Sequence, residues 1–128
     1  MSGGSELGKV RGLGAAKEGT HHWTLQRYTA VGNLLLGVWL FASLVLLPSL
    51  DHWAVASWLA QPFVAVPMIL FIISVFVHLR LGLQVMIEDY VHDDGLKFAS
   101  LLVINFYAVG GAVFGIFCVA KVAFGGGL

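Results

Sequence analysis

Three long stretches of the chain carry almost no formal charge. Tyr28 to Leu47 has no Asp, Glu, Lys or Arg, nor has Phe98 to Ala120, and the stretch from about Ala60 to Ile87 holds His78 and Arg80. A helix needs about 20 apolar residues to cross a hydrocarbon core of about 30 Å, and each stretch meets that length. None alternates with the two-residue period of a membrane β-barrel. A chain in lipid must satisfy its own backbone, so all three are expected to be helices. The pattern therefore predicts an all-α integral membrane protein with three transmembrane helices, over about residues 28–47, 60–87 and 98–120.

The breaks are polar. Pro48, Ser49, Asp51 and His52 separate the first two spans, and Asp89, Asp93, Asp94 and Gly95 the second and third. Pro62 suits a helix start, and Pro67 is expected to bend the second span slightly. Trp53 and Trp58 flank the first loop as aromatic belts do. The second span is longer than a bilayer requires, so its end should tilt or project into the interface. Residues 1–20 hold six glycines and no aromatic residue. They are read as a mobile tail on the cytoplasmic side, lacking the apolar stretch of a secretory signal and the Arg-rich, acid-poor character of a transit peptide. Residues 21–128 form the membrane unit.

Composition sharpens this picture. Apolar residues make up 59% of the chain and charged residues 11%, against roughly a quarter in a soluble domain, with a mean hydropathy of +0.89. Seven basic residues balance seven acidic ones, which argues against a nucleic-acid partner. The single cysteine, Cys118, excludes an internal disulfide and a multi-cysteine metal site; it is read as a small lipid- or helix-facing residue. Lys9, Arg11, Lys17 and Arg27 precede the first span, whereas Pro48 to Leu59 carries no cation. The positive-inside rule puts the N-terminus in the cytoplasm, the Asp89–Lys97 loop on the same side and the C-terminus outside.

An ionisable group inside a span is expensive and usually has a purpose. His78 lies eleven residues before Asp89, a depth of about 16 Å at 1.5 Å per residue, and shares its helix face to within about 20°. Ser74 and Gly82 flank that face. A mid-membrane imidazole can ligate haem iron or another metal, carry protons, or hydrogen-bond a neighbouring helix. No other span holds a histidine, so a six-coordinate haem would need its second ligand from another chain. Arg80 points to a different face and reads as a partner in an ion pair or interhelical hydrogen bond. Arg27, at the start of the first span, is a topology anchor or a cation for an acidic cofactor group such as a propionate. At the end of the second span, Glu88-Asp89-Tyr90 is either a polar helix end or a carboxylate and hydroxyl able to hydrogen-bond and protonate a quinone oxygen. His21 and His22 could exchange protons or simply be solvated. Gly111 and Gly115 form a small-xxx-small pair suited to close helix packing.

His78, then ten residues, then Asp89-Tyr90, at the end of the second of three spans, resembles the signature of the smaller membrane anchor of succinate dehydrogenase, respiratory complex II. Arg27-Tyr28-Thr29-Ala30 opening the first span, the inside N-terminus and the chain length belong to the same resemblance, which covers about residues 21–120. It implies that His78 is an axial ligand of haem b iron, shared with a larger cytochrome b anchor that supplies the other ligand. It implies that Tyr90 hydrogen-bonds ubiquinone with Asp89 beside it, and that Arg27 lies near the haem propionates or the quinone pocket. FAD and the iron–sulfur clusters would sit in a flavoprotein and an iron–sulfur subunit, with no catalytic residue in this chain alone. The protein would then be a non-autonomous subunit of succinate:quinone oxidoreductase in the bacterial inner membrane. Two other readings fit the residues: a haem-free helical assembly subunit of another respiratory complex, and a small proton-coupled transporter protomer with His78 and Arg80 on a proton path.

Overall fold

The computed structural model describes residue 7 and residues 16–125, with side-chain surroundings from residue 19 onward. Four helices follow one another: α1 (Ala16–Leu46), α2 (His52–Leu59), α3 (Pro62–Tyr90) and α4 (Asp94–Ala123). Among the described residues there is no strand. The spans Gly19–Leu46, Pro62–Tyr90 and Asp94–Ala123 are long and apolar enough to cross a membrane. Each long helix outruns its charge-free stretch, since a helix that satisfies its own backbone can continue into water. The helical start at Ala16 differs from the expected tail, whose remaining residues lie outside the described ones apart from Leu7. Ala16, Lys17 and Glu18 are good helix formers, which favours extension once the apolar span nucleates the helix.

The loop after the first span contains a helix that the hydrophobic pattern does not announce. Asp51 caps α2, accepting from the Ala54 amide at 2.8 Å and from the Ser49 hydroxyl at 2.6 Å. The Ser49 hydroxyl, and after it the Ala54 amide, hold the Asp51 carboxyl below the ordinary carboxylate value. Trp58 of α2 stacks on Trp39 of α1, with ring centroids 6.1 Å apart. Pro62 occupies the first turn of α3, where its missing amide proton costs nothing, and the helix continues through Pro67. Only Val91, His92 and Asp93 join α3 to α4. Asp93 caps α4 by accepting from the Leu96 amide at 2.7 Å; Asp94 in the first turn and Lys121 in the last suit the helix dipole.

The three long helices form a row. α3 packs against α1 on one side and α4 on the other, and α1 and α4 make no close approach to each other. The α3–α4 contact is built on small residues. A β-carbon at Gly111 would overlap the Phe76 ring, and one at Gly115 would stand 3.2 Å from Ile72 Cγ2. Phe76 and Ile72 are themselves one turn apart, so two large side chains of α3 fit over two glycines of α4. Burial within the chain is slight: Val64, Ala65, Leu81, Ile87, Ala108 and Val119 are the buried apolar residues among those described. Most large apolar side chains face outward, as suits lipid or a partner chain as the surrounding medium.

Candidate functional site

The α1–α3 contact carries a run of polar side chains. His22, Gln26, Thr29 and Asn33 recur along α1 at spacings of four, three and four residues, which places them on one helix face. Ser74 and His78, one turn apart on α3, meet this face at Thr29. The Ser74 hydroxyl donates to the Thr29 carbonyl at 3.2 Å, and Thr29 Oγ1 lies 3.1 Å from His78 Nδ1. Gly32 permits the approach, because a β-carbon there would stand 3.2 Å from Ser74 Oγ. Thr29 Oγ1 also lies 2.9 Å from the Leu25 carbonyl and 3.0 Å from that of Gln26.

His78 is partly buried and borders a cavity of about 180 Å³ lined also by Trp23, Gln26, Arg27 and Ala30. Arg27 is exposed, with its guanidinium carbon 5.3 Å from the Trp23 ring centre, a cation–π contact that fixes the cation at the cavity wall. It forms no ion pair among the described residues. Trp23 and Gln26 also line a second cavity, of about 510 Å³, with Gly19, His22, Gln84, Val85 and Glu88. Gln84 Nε2 donates to Glu88 at 2.9 Å. His22 Nε2 and Asn33 Oδ1 are buried without a hydrogen-bond partner, a cost usually relieved by water, ligand or a neighbouring chain.

Two of the expected site residues therefore meet: Arg27 and His78 bound one cavity. Asp89 and Tyr90 stand apart from it, exposed at the C-terminal end of α3, with Tyr90 79% exposed. Glu88, rather than Asp89, lines the adjoining cavity. Arg80 points away from His78 toward α4, where its Nε donates to Asn105 Oδ1; an interhelical hydrogen bond is its observed role. Thr29, Trp23, Gln26 and Asn105 were not singled out by charge or ionisability. The four–three–four spacing of polar residues in α1 is the sequence signal that finds Gln26 and Thr29; Trp23 lies outside it.

The donor chemistry suits a haem more than a bare metal ion. Among the described residues no three His, Cys, Asp or Glu side chains cluster as a metal site would require. A haem iron asks for one protein ligand on a face, which a single imidazole supplies. The 180 Å³ beside His78 is below the roughly 300–1,000 Å³ of complete ligand pockets.

Fold and site together define a multi-pass helical membrane protein with a polar, histidine-bearing seam on one side of its central helix. The family described as succinate dehydrogenase/fumarate reductase transmembrane subunit matches residues 1–112. The succinate dehydrogenase hydrophobic membrane anchor subunit of Rickettsia bellii (strain RML369-C) is 30% identical over 105 residues, which cover 82% of this chain and 84% of the relative. Its counterpart from Rickettsia conorii is 30% identical over 106 residues, with the same coverage. The succinate dehydrogenase membrane anchor subunit of Reclinomonas americana is 32% identical over 97 residues, 73% of this chain and 80% of the relative. The chain belongs to this family of transmembrane subunits, as the His78–Tyr90 spacing led one to expect. Multi-pass placement in the bacterial inner membrane fits both the three helices and the Rickettsia relatives.

Proposed function

We propose that this succinate dehydrogenase anchor holds haem b through His78 and helps form a ubiquinone-reduction site at the end of α3. The observation that carries the first part is the state of His78. It lies twelve residues inside α3 from Tyr90, about 18 Å along the axis, at a cavity wall shared with Arg27, which has no ion pair among the described residues. Its Nδ1 is engaged by Thr29, and its Nε2 makes no hydrogen bond among the described residues. Bound there, haem b supplies one-electron redox chemistry. Arg27, held over Trp23, suits a propionate carboxylate. The other iron ligand and the rest of the enclosure would come from a larger cytochrome b anchor, which would make this chain half of a heterodimeric membrane unit.

Ubiquinone reduction takes two electrons and two protons. In this reading the electrons arrive from an iron–sulfur subunit, itself served by a FAD-containing flavoprotein. Tyr90 and Asp89, exposed at the polar end of α3, offer the protons: the phenol donates a hydrogen bond to a quinone oxygen, and the carboxyl group exchanges protons with water. The excess of Lys and Arg before the first span puts this end of α3 on the cytoplasmic side, where the soluble subunits dock.

The test is a succinate-reduced minus air-oxidised spectrum of the purified complex with and without His78→Ala. The wild type is expected to show a b-type band, and the variant to lose it or show it altered while the three helices remain. An unchanged band in the variant removes His78 as the ligand. Succinate activity without any band, even after dithionite, keeps the anchor role and discards the haem.

A further inference from the structure

The Thr29 hydroxyl stands among three groups but has one proton. Two of its neighbours, the Leu25 and Gln26 carbonyls at 2.9 and 3.0 Å, can only accept. If the hydroxyl donated to His78 Nδ1, both carbonyl oxygens would face the lone pairs of Oγ1 at contact distance, with no proton between them. With the proton turned to the carbonyls, a common arrangement for a helical threonine, the hydroxyl oxygen is left to accept. The third contact, at 3.1 Å, then runs from His78 Nδ1–H to Thr29 Oγ1. The network thereby assigns the tautomer: Nδ1 carries the proton, and Nε2 keeps its lone pair. Thr29 is itself tied to α3, because Ser74, one turn from His78, donates to its carbonyl at 3.2 Å.

We propose that Thr29 is the positioning residue for His78: it fixes the ring orientation and the Nδ1–H tautomer and so presents Nε2 as the ligating atom. The proposal rests on the haem reading above. An outer hydrogen bond to the second ring nitrogen of a ligating histidine sets its tautomer and raises its basicity, and loss of such a partner typically weakens metal binding by about 10- to 100-fold. Thr29 reaches His78 from a different helix, so the ligand's orientation depends on the α1–α3 contact as well as on α3.

The experiment compares Thr29→Val, which keeps the side-chain shape and removes the hydroxyl, with Thr29→Ser, which keeps the hydroxyl. Both are made in the full complex, with His78→Ala alongside. Two quantities are read: the rate of haem transfer to excess apomyoglobin, and the haem midpoint potential. Thr29→Val should lose haem roughly tenfold faster or more, with a higher potential, because a less basic imidazole stabilises the oxidised iron less. Thr29→Ser should restore both toward wild type. If Thr29→Val matches wild type in both, or Thr29→Ser behaves like Thr29→Val, the proposal is overturned. Should Thr29→Val fail to assemble, 15N nuclear magnetic resonance of the reduced wild-type complex decides: iron-bound Nε2 with a protonated Nδ1 supports the assignment, and iron-bound Nδ1 overturns it. Failure of the haem reading itself is separate, since it shows as an unchanged haem spectrum in His78→Ala.

Discussion

Single residues differ in how openly they declare themselves. His78 and Arg80 stand out in the sequence because charge is rare in lipid, and the structure separates them onto opposite sides of α3. Their partners, Thr29 and Asn105, are uncharged and inconspicuous; only the packing of α1 and α4 on α3 reveals them. The Arg80–Asn105 pair makes a test. Asn105→Val removes the acceptor and leaves a guanidinium unpaired in a span, at an expected cost of about 1–3 kcal/mol. Combining it with Arg80→Leu should recover much of that loss, because an apolar pair in lipid needs no acceptor. Thermal denaturation of the detergent-solubilised complex reads both. At the other end of α3, Tyr90→Phe removes one hydroxyl from an exposed side chain. Succinate–quinone turnover is expected to fall roughly 100-fold while haem content stays, the lower end of what a positioned proton donor contributes. Equal turnover in the two proteins would take Tyr90 out of the mechanism.

At the scale of elements, the three spans are legible because lipid imposes one strong condition, continuous apolar length, on each of them. Their ends are less so. Hydrophobicity marks where lipid stops, whereas the helices stop at caps: α4, capped by Asp93, begins at Asp94, four residues before the charge-free stretch, and α3, closed by Val91, ends at Tyr90, three residues after Ile87. α2 was missed for the same reason, since its signal is the Ser49–Asp51 cap rather than an apolar run. The small-residue pair of α4 was visible, and its partners were not: Phe76 and Ile72 are ordinary span residues until the register is known. Gly111→Leu should drive a side chain into the Phe76 ring and destabilise the α3–α4 contact by about 1–3 kcal/mol or more. Gly110→Leu, where a β-carbon meets nothing within 4 Å, is the control expected to be nearly silent. Hydrogen exchange of the two helices measures the difference.

For the whole molecule, the sequence pattern indicates three crossings but is indifferent to their arrangement. A closed bundle and an open row bury the same residue types, and long-range contact alone distinguishes them. In the row observed here, α3 is flanked and α1 and α4 are each covered by it on one side only. The seam at Thr29, Ser74 and His78 therefore opens at the surface of the chain, which is why its cavity is too small for a whole ligand and why Arg27 meets no anion among the described residues. The family's anchor role and this incompleteness agree: a subunit that holds a complex to the membrane presents its polar groups to other subunits.

An open row with so little interior has a consequence for the life of the chain after synthesis. A copy that has not met its partners exposes Arg80, Arg27 and the His78 cavity to lipid, with few internal contacts to resist local opening. Proteases triage such marginally stable chains, so surplus copies are expected to be removed and the amount of anchor to follow the supply of its partners. In pulse-chase labelling, the half-life of this chain is expected to shorten several-fold when the other subunits are not co-expressed. A half-life independent of co-expression would show that lipid alone suffices to stabilise the row. Stoichiometry in the assembled enzyme would thus be set by turnover as much as by expression.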